Sequence, residues 1–142
     1  MYTLAALKSE FSNDPVGMGY APLWTTGQDG ALAAKISAVS TGITVYAGLL
    51  PGYQIINATT PSEFLALTSA NQNLYLAITG ASGGVDSTNT LVRSAFTTMF
   101  AAGTSTRSAL IAMAQRNGSR AEQVWGPGTT VATDDVSHCR AF

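Results

Sequence analysis

Charge is what this sequence has least of. Asp, Glu, Lys and Arg make up 11% of its 142 residues, against 46% that are hydrophobic, where a globular domain ordinarily carries about a quarter charged. A surface so poor in charge draws its polarity from Ser, Thr, Asn, Gln and Gly, and contact with partners then desolvates few ionised groups. Burial within an assembly follows as the leading expectation. The same scarcity argues against nucleic acid. The net charge is −1, Met1 to Val92 holds two bases and five acids, and Arg93 to Phe142 holds five arginines and three acids. Arg107, Arg116 and Arg120 are the best cationic group available, whereas tight phosphate binding needs a clustered face.

Cysteine and histidine are nearly absent too. Cys139 is the single cysteine and His138 the single histidine, which excludes an intrachain disulfide and leaves a structural zinc site without its ligands. A reducing origin fits best. Neighbouring residues on a helix point about 100° apart, so the adjacent pair reads as a surface tail feature, with no metal and no cofactor expected. No apolar run reaches the roughly eighteen residues of a membrane span, and the N-terminus lacks the charged and apolar regions of a signal peptide. The sequons at Asn57 and Asn117 read as chance matches.

What is present is helical spacing broken by 14 glycines and 5 prolines. Thr3 can cap a helix carrying Leu4, Leu7 and Phe11 on one face, and Asn13-Asp14-Pro15 stops it. Pro15 to Thr26 reads as an irregular, aromatic loop with Tyr20, Leu23 and Trp24. Asp29 can cap a helix running to about Val39. Ile43 to Leu50 has strand character but no evident partner, so an extended segment, or a strand completed by another chain, is expected. A turn at Tyr53–Ala58 precedes a helix from Pro61 to about Thr79, with Thr60 and Pro61 marking its start. Asp86 or Ser87 can cap a helix through Phe100. Thr104 to Thr106 can start another, ending at Asn117-Gly118. Ser119 and Glu122 form a capping box before Trp125, and Thr133-Asp134-Asp135 opens a final turn, the acids complementing its dipole. The expectation is one domain, 1–142, of the all-α class: a compact bundle of about six or seven short helices with Gly/Pro-rich loops and one extended segment near 43–50.

Two stretches carry resemblances. Ser82 to Ser87, SGGVDS, resembles the phosphate-binding motif of the PP-loop ATP pyrophosphatases, which would imply an adenylating enzyme. That motif works at the end of a buried parallel strand, where glycine amides and a helix N-terminus hold pyrophosphate. Here it follows a segment of helical spacing in a chain without βα alternation, so a glycine-rich turn is the expected reading and no enzymatic activity is assigned. Asn89 to Val136, with GTSTR at Gly103–Arg107, GSRAE at Gly118–Glu122 and the following Trp125-Gly126, together with the opening LAALKSEFSNDPVGMGYAPL, is similar to small proteins encoded among the structural genes of tailed bacteriophages.

The resemblance implies a non-enzymatic virion component, of head, neck, tail or fibre attachment, made in the bacterial host cytoplasm and acting through contacts with other virion proteins or copies of itself. Tyr20, Leu23, Trp24, Val45, Tyr46, Leu49 and Trp125 are the candidate interface residues. The alternative is a small nucleic-acid-binding or regulatory protein, with Ser105–Gln115 and Ser119–Trp125 as a helix-turn-helix and Arg120, Glu122 and Gln123 as its polar readers.

Overall fold

Thr3 starts the first helix as its sequence suggests: its hydroxyl accepts from the Ala6 amide, and α1 runs Leu4–Asn13. It ends where Asp14 turns left-handed, at φ 40°. The Asp14 carboxylate then accepts from the amides of Met18, Gly19 and Tyr20 at 2.6, 2.7 and 3.2 Å, which ties down a segment that would otherwise leave those donors bare. The computed structural model describes residues 1–142. The remaining elements are α2 (Ala21–Thr25), α3 (Asp29–Ser37), β1 (Ser40–Tyr46), β2 (Leu49–Leu50), α4 (Gly52–Ala58), α5 (Pro61–Leu65), α6 (Ser69–Thr79), β3 (Val85–Asp86), α7 (Thr90–Met99), α8 (Ser105–Ala114), β4 (Gln115–Gly118), α9 (Arg120–Trp125) and α10 (Thr133–Ala141).

The expected all-α bundle is therefore corrected. Ten helices cover 58% of the chain, and two small antiparallel two-stranded sheets, β1 with β4 and β2 with β3, make it mixed α/β. Three local events account for the difference. Within the expected loop 15–26, Pro22 at the start of a helix loses no hydrogen bond, and α2 forms. The expected helix 61–79 breaks because the Thr68 hydroxyl caps a new start at the Asn71 amide. Gln72 Nε2 then lies 3.3–3.4 Å from the carbonyls of Phe64, Leu65 and Leu67 left by α5.

The third event supplies the extended segment near 43–50 with partners from its own chain. Gln115 leaves α8 directly in extended geometry, φ −121° and ψ 147°, so the polar run read as a helix end becomes β4. Gly118 makes the approach possible, since a Cβ there would lie 2.5 Å from Val45 Cγ2. Further along, Leu49 pairs with Asp86 and Leu50 with Val85, and Gly48 and Ser87 exchange two bonds, the Gly48 amide to Ser87 Oγ at 3.0 Å and the Ser87 amide to the Gly48 carbonyl at 2.8 Å.

The chain divides into two compact units: unit 1, Met1–Val45 with Asn117–Phe142, and unit 2, Tyr46–Arg116. In unit 1 the core is built from short helical stripes: Leu7 and Phe11 of α1, Leu32, Ala33 and Ile36 of α3, and Val136 and Cys139 of α10, closed by Tyr20, Ala121 and Val131. Phe11 meets Tyr20 edge-on at 5.2 Å and stacks on Trp24 at 5.8 Å. Cys139 is fully buried here, which corrects the expectation of a surface tail: the last segment is a nine-residue helix packed against α1 and α3. It begins where Asp135 accepts from the Ala132 amide at 3.2 Å.

In unit 2 the core gathers around Tyr75, whose ring lies 5.1 Å from Phe64 and 6.1 Å from both Phe96 and Phe100, with Ile55, Val85 and Met99 filling the rest. The Tyr75 hydroxyl shares a 2.8 Å bond with Thr59 Oγ1. Burial nevertheless holds its pKa above the ordinary tyrosine value, outweighing that bond.

Candidate functional site

Unit 2 holds only five charged residues, Glu63, Asp86, Arg93, Arg107 and Arg116, although it is half the chain. Its two acids are taken up internally. Glu63 accepts from the amides of Ser105 and Thr106 at 2.9 and 2.8 Å, capping the first turn of α8 from outside. Asp86 accepts from the Thr88 amide and hydroxyl at 2.8 and 2.7 Å. These bonds favour the ionised forms and hold both carboxyls below their ordinary values.

Two of the arginines stand at a cleft of about 290 Å3 walled by Tyr46, Phe96, Leu110 and Ile111. Asn89 places the first: its side chain caps α7 at the Leu91 and Val92 amides. Arg93, one turn on, reaches back so that Nη1 donates to the carbonyls of Ser87 and Thr88 at 2.9 and 2.6 Å. Its guanidinium lies 4.1 Å from the centre of the Tyr46 ring, a cation–π contact that also fixes its plane. Arg107 projects from α8, which Thr104 caps at the Arg107 amide. Its Nη1 lies 3.5 Å from the Phe100 carbonyl, at the outer limit of a hydrogen bond.

Unit 2 also exposes large apolar side chains. Leu49, Tyr53, Ile56, Leu65, Leu74, Leu76, Leu91 and Ile111 are all exposed, Leu65 at 72% and Leu91 at 78%. A second, shallower cleft lies among Ile56, Pro61, Phe64, Tyr75 and Leu76, with no charged residue in its wall.

The seven candidate interface residues fall into three groups. Tyr20 and Val45 are buried in the chain's own interior. Leu23, Trp24 and Trp125 are partly buried against the unit 1 core. Trp125 meets Tyr2 at 5.0 Å, and Trp24 lies under the Arg140 guanidinium at 4.1 Å. Tyr46 is half-buried beneath Arg93, and Leu49 stands out at 67% exposure. The structure brings Tyr46 together with Arg93 and Arg107; neither is among the candidate protein-contact residues, and composition points to Arg107 only as a weak phosphate contact. The one available signal was an arginine standing alone in an otherwise uncharged stretch.

The motifs weighed for chemistry have other structural employment. SGGVDS follows α6 through a turn at Gly84, φ 80°, and enters the antiparallel pair β2–β3; the parallel strand that the phosphate-binding motif requires is replaced by a helix. Asn89, rather than Asp86 or Ser87, caps the next helix. Between the two helices of the helix-turn-helix reading lies β4 in place of a tight turn. Two of the three polar readers of the second helix turn inward, leaving Gln123 exposed: Arg120 grips Glu10, and Glu122 is buried, closing its capping box with Ser119 and accepting from the Gly128 amide at 2.8 Å. No group of three or more His, Cys, Asp and Glu side chains converges as a metal site would require, and no helix is long and apolar enough to cross a membrane.

These features describe a small mixed α/β chain whose most distinctive site is an arginine-flanked apolar cleft on a weakly charged unit. No protein family, curated protein or solved structure matches the chain.

Proposed function

We propose that this protein is a non-enzymatic structural subunit that works by being covered in an assembly, the virion of a tailed bacteriophage being the assembly its sequence resemblance implies. The observation that carries the reading is the exterior of unit 2: eight large apolar side chains exposed on a unit with five charged residues, both of its acids bonded internally. Depletion of charge with retention of Tyr and Arg is the composition of an interface core, and covering exposed apolar side chains with a partner removes their surface from water, which favours association.

Mass spectrometry of purified particles, with stoichiometry measured against the major coat protein, tests the reading. Light scattering of the isolated chain complements it. The expected result is a fixed number of copies per particle, with self-association or stable co-purification of the isolated chain. A monodisperse monomer that binds no virion protein and is missing from particles would refute it.

A further inference from the structure

Two properties of the cleft between α7 and α8 point the same way. Its walls are apolar, with Phe96, Leu110 and Ile111 beside the Tyr46 ring. Two guanidinium groups stand in that wall with donors to spare. Arg93 is pinned through Nη1 and the face of its plane, so the hydrogens of Nε and Nη2 are not taken up by an acceptor of the chain itself. Arg107 has a single long contact to a carbonyl. Neither lies within ion-pair distance of a carboxylate. Asp86, the acid whose field reaches Arg93, is already bonded to Thr88.

An apolar lining with two under-matched guanidinium groups is complementary to a carboxylate carried on an apolar body, because Arg binds carboxylates through paired N–H groups most strongly where apolar surroundings exclude water. The size of the cleft narrows the choice of occupant. At about 290 Å3 it sits at the small end of the roughly 300–1,000 Å3 of small-molecule pockets, which suits the anchoring side chains of a segment lying across it. Tyr and Arg are also the residues that most often carry binding energy in such contacts.

We infer that this cleft receives a carboxylate-bearing segment of a partner protein, an Asp or Glu flanked by bulky apolar side chains. The apolar groups pack on Phe96, Leu110 and Ile111, and the carboxylate is held by Arg107 and Arg93. The nature of the occupant rests on the assembly reading above; the preference for a carboxylate rests on the two arginines alone.

The test is an NMR titration of the isotopically labelled full chain with two probes, an acetylated and amidated Leu-Glu-Phe tripeptide and its Gln counterpart. The Glu peptide is expected to shift the Leu110 and Ile111 methyl signals and the Arg107 Nε–H signal, and to bind about tenfold more tightly than the Gln peptide. Arg107→Gln should reduce that difference severalfold, with Arg93 retaining the remainder, while the spectrum of the unit 2 core stays in place. Ile111→Glu, which supplies the cleft with a carboxylate of its own, should weaken both peptides. Equal binding of the two peptides, shifts located away from the cleft, or no shift at millimolar peptide would overturn the inference. A chain that joins particles yet ignores both peptides overturns the cleft alone. A chain that discriminates the peptides as stated but is monomeric and missing from particles overturns the assembly reading alone.

Discussion

Arg120 holds Glu10 in a two-point ion pair, Nε to Oε1 at 2.6 Å and Nη2 to Oε2 at 3.1 Å, across 110 positions of sequence. Both side chains are largely buried, at 12% and 7% exposure, and the carboxylate holds the guanidinium's pKa above its ordinary value. A buried pair of this kind contributes little net stability against an apolar replacement, but removing one partner strands the other. Glu10→Gln should therefore destabilise the protein by about 3 kcal/mol, whereas the double replacement Glu10→Met with Arg120→Met should recover most of that loss. Urea unfolding of Glu10→Met, Arg120→Met and the double variant completes the cycle, and additive losses would contradict the coupling.

Glu63 makes acid stability depend on one cross-chain cap. Its carboxyl is held below the ordinary glutamate value of 4.5 by the Thr106 hydroxyl and amide and the Ser105 amide. Since the folded-state value is depressed, the stabilisation is present above the unfolded value and is lost as pH falls through the folded one. Glu63→Gln should lower the urea midpoint near neutrality and show a smaller further fall than the wild type as the pH drops below 4.5. Parallel acid limbs for the two proteins would contradict this assignment.

Gly52 and Gly83 should differ sharply in their tolerance of a methyl group. A Cβ at Gly52 would sit 1.8 Å from the Thr79 carbonyl oxygen, a backbone atom, where α4 begins against the end of α6. Gly52→Ala should cost about 3 kcal/mol, the upper end of overpacking effects. Gly83, inside SGGVDS, meets nothing within 4 Å and has no positive φ. Gly83→Ala should change stability by less than about 0.5 kcal/mol in either direction, the gain coming from a less flexible unfolded chain. Thermal unfolding of the two variants side by side separates the cases.

Cys139 should report on the opening of unit 1. The thiol is fully buried, and burial holds its pKa above the ordinary value of 9.0, so both access and the thiolate fraction are suppressed. Ellman's reagent should label the native chain at least about 10³-fold more slowly than the urea-unfolded chain, as expected for a stability of ~5 kcal/mol or more. Labelling of the native chain at the unfolded rate would mean that α10 does not stay docked.

The elements readable in advance are those decided within one turn of chain. Thr3 bonding to Ala6, Thr104 to Arg107, and the reciprocal bonds of Ser119 and Glu122 all span three residues, so residue type and spacing announce the first and last, and narrow the second to Thr104, Ser105 or Thr106. The split at Thr68 was equally local and was outweighed by the continuous apolar spacing from Phe64 to Ile78. The strand β4 was not announced: Gln115-Arg116-Asn117-Gly118 has no β-branched or aromatic residue, and it becomes extended because it pairs with β1 and because Gly118 lets the chain come close to Val45. Of the candidate contact residues, Tyr20 and Val45 stand out in the sequence only by aromatic or apolar character, which marks a core residue as readily as an exposed one. Arg93 and Arg107 acquire meaning only once α7 and α8 bring them to one cleft.

Composition and short-range pattern by themselves determined that this chain is rich in short helices, poor in charge, without an intrachain disulfide and punctuated at Thr3, Pro61, Thr104 to Thr106 and Ser119, because caps, prolines and charge counts act through neighbours in sequence. Tertiary structure alone decided that Arg120 meets Glu10, that Cys139 lies in a core, that a polar tetrapeptide completes a sheet, and that two solitary arginines share an apolar cleft. Those outcomes depend on which distant surfaces exclude water together, and no local bond encodes that.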